Sequence, residues 1–116
     1  MRSTPRFLQG VYSFEGKGLD APFLLDAALT YIVPDGATTQ PVYFRGGNAA
    51  EELVCVVLMR DGQAMRYFPI GARSDTHVAL RVVEDLEPGT GVELHAAAPA
   101  GVFSTVVVDF GLMEIE

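Results

Sequence analysis

From RFLQGVYSF near the N-terminus to VFSTVVVDFGLMEI near the C-terminus, short apolar runs alternate with clusters of Gly, Pro, Asp and Asn at a spacing of about ten residues. That punctuation leaves no room for a helical bundle and predicts an all-β chain, an antiparallel β-sandwich of about 7–8 strands. The other runs are FLLDAALTYIV, PVYF, ELVCVVLM, MRYFPI, HVALRVV and VELHAAA, most of them rich in the Val, Tyr, Phe and Thr that suit a pleated surface. At 116 residues the chain fits one domain, 1–116, large enough to bury a core without disulfide or metal.

One stretch is ambiguous. In PFLLDAALTYIV, residues 22–33, Pro22 with Asp20 and the Ala pair fits a helix start, whereas TYIV before Pro34 fits a strand. The strand is preferred, because a helix here would be apolar nearly all round in a domain too small to bury it. Further along, VYFRGG and ELVCVVLMRDG read as two strands joined by a Gly46-Gly47-Asn48 hinge, with positive φ expected at the glycines. RDG then turns the chain into MRYFPI. HVALRVV and VELHAAA read as an antiparallel pair with Val78, Leu80 and Val82 inward against Val92, Leu94 and Ala96. The opposite face of that pair would carry His77, Arg81, Glu93 and His95.

Composition narrows the partners. Fifteen Asp and Glu against eight Lys and Arg give a net charge of −7, which repels phosphate backbones and anionic headgroups, so neither nucleic acid nor membrane insertion is expected. MRSTPRFLQG lacks the apolar stretch of a signal peptide, and a single cysteine forms no internal disulfide. Both point to the cytoplasm. The 49% hydrophobic content is rich for a lone small domain and points to a homo-oligomer.

The search for chemistry returns little. GKGLDA, residues 16–21, fits the loose dinucleotide pattern but lacks the βαβ surroundings that give it meaning, and a Gly-rich connection between strands explains it. DFG at 109–111 stands without any other kinase element. Cys55, between Val54 and Val56, reads as a buried hydrophobe. No serine has an activating neighbour, and Asp75 and His77 share a strand face that Ser74 does not. His77 and His95 lie too far apart along the expected ladder to share a metal. No catalytic residue, metal or cofactor is therefore assigned.

Arginine and tyrosine remain. Arg45, Arg66, Tyr67 and Arg73, with Tyr43, Phe44 and Phe68 between them, concentrate positive charge in two segments and form the preferred ligand-binding set if their strands pair. Arg forks onto carboxylates and phosphates, so a small anionic ligand or an acidic protein partner fits such a patch. The bland alternative pairs Arg45 and Arg66 with Glu51, Glu52 or Asp61. A small enzyme using His77, Arg81, Glu93 and His95 at a subunit interface is the competing reading. With no tryptophan, a polysaccharide-binding role is not favoured, while a smaller sugar stays open.

The run from RGGNAAEELVCVVLMRDG through YFPIGARSDTHVALRVVEDLEP to VFSTVVVDF resembles the sensory rhodopsin transducer family over roughly residues 42 to 110. The shared layout is a Gly-Asn turn, a long apolar strand, a polar turn, a strand ending in a small-residue-Arg turn, and a His-Val strand. The resemblance implies a small cytosolic β-sandwich that forms homo-oligomers and acts by binding, as an accessory module, rather than by catalysis. No site residue is carried over from it.

Overall fold

A computed structural model describes residues 1–80 and 84–116. Among the described residues nine antiparallel strands form two facing sheets: β1 (Ser3–Glu15), β2 (Phe23–Leu24), β3 (Thr30–Ile32), β4 (Thr38–Asn48), β5 (Val54–Arg60), β6 (Gln63–Ile70), β7 (Asp75–Ala79), β8 (Gly91–Ala97) and β9 (Phe103–Ile115). The first sheet runs β1-β9-β4-β7; the second runs β2-β8-β5-β6, with β3 also pairing β8. Apart from the β5–β6 hairpin and the β2–β3 link, every connection crosses from one sheet to the other. This is the jelly-roll way of closing two layers on one core.

Alternation builds the core. Val54, Val56 and Leu58 of β5, Val92, Leu94 and Ala96 of β8, and Val106, Val108, Phe110 and Leu112 of β9 all point between the sheets. Phe44 of the first sheet stacks on Phe68 of the second with centroids 4.4 Å apart and planes at 7°. Each fully buried large side chain of this kind contributes about 2–3 kcal/mol through removal of apolar area from water. The long axis of the molecule, 45 Å, is set by the thirteen-residue β1 and β9, which pair along their whole length.

The all-β sandwich expected from the punctuation is the fold found. Residues 22–33 contain no helix: they supply β2 and β3, separated by a turn in which Asp26 Oδ2 accepts the Ala28 N–H at 2.9 Å. The RDG turn is present, with Asp61 (φ 50°) and Gly62 (φ 80°) both left-handed, as a two-residue hairpin turn requires.

Two expected pairings are corrected. HVALRVV and VELHAAA do not form a hairpin: β7 pairs with β4 in the first sheet and β8 with β5 in the second. Val78 and Leu80 nonetheless pack against the core, and Val92, Leu94 and Ala96 are buried in it; Val82 lies outside the described residues. Gly46-Gly47-Asn48 is no hinge either. All three continue β4 in register with β9, and neither glycine is left-handed. Gly46 is instead required by close packing, since an added Cβ would lie 2.7 Å from the Phe44 ring and 2.9 Å from Ile70. Asn48 is buried, and its Nδ2 donates to the carbonyls of Glu52 (2.8 Å), Ile70 (3.2 Å) and Gly71 (3.1 Å). Its Oδ1 accepts from the Ala50 N–H at 2.9 Å and the Ser104 hydroxyl at 3.0 Å.

Cys55 is likewise not in the core. It is half-buried on the outer face of the second sheet, opposite Ala97 and Pro69, and burial pushes its thiol pKa up.

Candidate functional site: a glycine-floored groove on the first sheet

Side chains on the outer face of the first sheet line up across the ladders in rows. One row is Phe7, Gly111, Tyr43, Ala79; the next is Gln9, Asp109, Arg45, His77; the third is Val11, Val107, Gly47, Asp75. Two glycines interrupt this carpet, with opposite results. Tyr43 lies across Gly111 so closely that a Cβ there would meet the ring at 2.1 Å, so that gap is filled. At Gly47 an added Cβ meets only the Val107 Cβ, at 4.0 Å, so that gap stays open. The result is an open groove of about 460 Å³ floored by Gly46 and Gly47 and walled by Arg45, Asp75, His77, Val107 and Asp109.

Three of its polar groups, Arg45, Tyr43 and Asp109, hold one another. Arg45 donates to Asp109 Oδ2 at 2.6 Å, and the Tyr43 hydroxyl donates to Asp109 Oδ1 at 2.8 Å. The Arg45 guanidinium also sits 5.6 Å from the Tyr43 ring centroid, and His77 meets that ring edge-on at 6.4 Å. Burial, followed by the bond to Asp109, pushes the Tyr43 hydroxyl pKa up, and the same carboxylate raises that of Arg45. Tyr43 therefore stays neutral and Arg45 charged. The groove thus offers a carboxylate pair, a guanidinium, an imidazole and a ring within three rows of one sheet.

A second depression of about 390 Å³ follows along β9, lined by Ser13, Phe14, Ala49, Phe103, Ser104 and Thr105. Ser13 and Thr105 hydroxyls share a hydrogen bond of 2.9 Å, and Phe103 is 76% exposed beside them.

The four-residue patch does not assemble. Arg45 belongs to the groove, whereas Arg66 and Tyr67 lie on β6 of the opposite sheet and Arg73 in the β6–β7 turn. The arginines are bound to acids, but neither Arg45 nor Arg66 to an expected one: Arg45 pairs with Asp109 and Arg66 with Glu84, while Glu51 is taken by Arg73. The histidine set is divided as well. His77 points out from the first sheet, while Glu93 and His95 sit on the second and bond each other at 2.9 Å; Arg81 lies outside the described residues. Among the described residues no cluster of three or more His, Cys, Asp or Glu is placed to hold a metal ion.

Sequence reasoning named Arg45, Asp75 and His77 but missed Gly47, Val107 and Asp109. The signal was available: R45-x-G47, V107-x-D109 and D75-x-H77 each put two groove residues on one strand face.

Fold and groove together define a jelly-roll β-sandwich with a shaped, polar outer face. No protein-family model matches the chain, and no curated protein matches it. Among solved structures it is similar to the CBM36-1 domain of a multidomain xylanase from the hindgut metagenome of Trinervitermes trinervoides. The TM-score is 0.57 at 14% identity, over 95% of this chain and 96% of that one, a likeness of fold.

Proposed function

We propose that the protein is a non-catalytic binding module whose ligand lies in the Gly47 groove and is a short, neutral, hydroxyl-rich molecule such as an oligosaccharide. The observation that carries this reading is the open Gly47 gap, bordered by the Arg45–Asp109 pair, which the Tyr43 hydroxyl also holds in place, and by the exposed Asp75 and His77. Pre-positioned groups lower the ordering cost of binding. A strongly anionic ligand fits less well, because Asp109 already occupies Arg45 and Asp75 stands across the groove. The structural neighbour, a carbohydrate-binding module of a xylanase, supports the class of ligand. The resemblance to sensory rhodopsin transducers supports binding without catalysis.

The test is Gly47→Val, which fills the groove in a strand that accepts valine. Calorimetric titration with xylo-, cello- and manno-oligosaccharides should show binding by the wild type and at least a tenfold loss in G47V, with unchanged thermal unfolding. A wild type that binds none of these sugars, or a variant that binds as well as wild type, overturns the reading.

A second reading concerns self-association. Phe7, Val11 and Val107 are exposed on the β1 and β9 part of the same face, and Val11 pairs directly with Val107. We propose, as the competing use of this face, that the stripe joins two copies; because Val107 also lines the groove, a seam there and a ligand in the groove exclude each other. Val11→Lys should then convert an oligomer to a monomer in light scattering; a monomeric wild type refutes it.

A further inference from the structure

We infer that the Gly47 groove and the Phe103 depression are two subsites of one track along β9, and that the ligand is a linear glycan chain rather than a single sugar. The inference rests on the binding-module reading and extends it. Asp109, Val107, Thr105 and Phe103 are successive outward residues of one strand, so nothing but a change of row separates the two depressions. Six residue steps from 103 to 109 span about 20 Å at the rise of a strand, well beyond one sugar ring.

Chemistry changes along this track in the way a glycan chain needs. At one end stand Asp109, Arg45 and His77, which supply directional acceptors and donors, with Asp75 in the next row. Midway, Gly47 leaves an open floor beside the apolar Val107. Beyond it the Ser13 and Thr105 hydroxyls lead to the Phe103 ring, exposed and unstacked on any other ring among the described residues. An exposed ring beside short hydroxyls presents an apolar face to the C–H side of a sugar and hydrogen-bonding groups to its edge.

A peptide fits this track less well. Strand addition needs a free sheet edge, and β9 and β4 are internal strands paired on both sides. What the track presents is side chains.

Phe103→Ser removes the ring, and at such exposure the change leaves folding intact. The experiment measures Kd by calorimetry for one oligosaccharide series of increasing length, in the wild type, F103S and G47V. Expected is wild-type affinity that rises with chain length, loss of about tenfold for the long members in F103S with the disaccharide unaffected, and loss at every length in G47V. Equal wild-type affinity for short and long members, or long members indifferent to F103S, overturns the track while leaving the groove reading intact. Absence of wild-type binding at every length overturns both.

Discussion

Asn48 and the two glycines before it show how much one side chain decides in this sheet. Asn48 connects β4 to the 50–52 loop, the end of β6 and the start of β9 through five hydrogen bonds, all at a buried position. Asn48→Ala leaves several buried partners unmatched and should cost about 2–4 kcal/mol in urea unfolding. Asn48→Asp should cost more, because a carboxylate would then face three carbonyl oxygens. The adjacent glycines should separate cleanly: Gly46→Ala crowds Phe44 and Ile70 and should lose about 1–3 kcal/mol, whereas Gly47→Val should leave stability unchanged or raised. Sequence alone shows two identical glycines; only the facing residues distinguish the packed one from the open one.

At the scale of strands, the far end of the sandwich is held by a polar contact between sheets. Glu114 of β9 is buried, accepts from Arg6 of β1 at 3.1 and 3.3 Å, and accepts from the Tyr31 hydroxyl of β3 at 2.5 Å. Tyr31 also shares a hydrogen bond of 2.9 Å with Thr39 of β4. The bonds from Arg6 and then Tyr31 hold the Glu114 carboxyl below its ordinary pKa, while burial and the bond to Glu114 push Tyr31 up to about 12. A depressed carboxyl stabilises the fold above its unfolded pKa, near 4.3, and that stability is lost as pH falls through the folded value. A raised phenol stabilises below its unfolded pKa, near 10, and that stability is lost as pH rises toward 12. Glu114→Gln should therefore lower the melting temperature at neutral pH and flatten its fall below pH 4, as seen by calorimetry across pH. An unchanged acid limb in the variant would show that another carboxylate governs it.

The same scale explains what was legible. Alternation identified the strand-forming segments and most of the inward residues, because period two is written directly in Val54, Val56 and Leu58 or Val92, Leu94 and Ala96. It could not say which sheet a strand joins. Segments β7 and β8 look like hairpin partners because the inward pattern is the same on either layer, whereas between them Leu86 is buried and bridged to Thr39 of β4. The groove was half visible for that reason: its residues were readable strand by strand, but not the rows that bring β4, β7 and β9 together.

For the molecule as a whole, charge and apolar surface oppose each other. Copies carrying −7 repel, while the Phe7, Val11 and Val107 stripe favours contact. Self-association through that stripe should strengthen as salt screens the repulsion, so the mean mass in light scattering should rise from low to high ionic strength. A mass that falls with salt would mean that ion pairs, and not the stripe, hold the copies. No helix among the described residues is long and apolar enough to cross a membrane.

The β1–β9 ladder closes at Arg2 and Glu116, whose backbones exchange hydrogen bonds of 3.0 and 2.8 Å. Both chain ends therefore leave the sandwich at one corner, with Glu15 and Phe103 at the other end of the same strand pair. Tension applied between those ends meets the ladder one rung at a time, opening it like a zipper from the Arg2–Glu116 corner instead of shearing all its rungs together. The module yields early under a pull on its two ends, yet anything attached at that corner hangs clear of the Phe103 end.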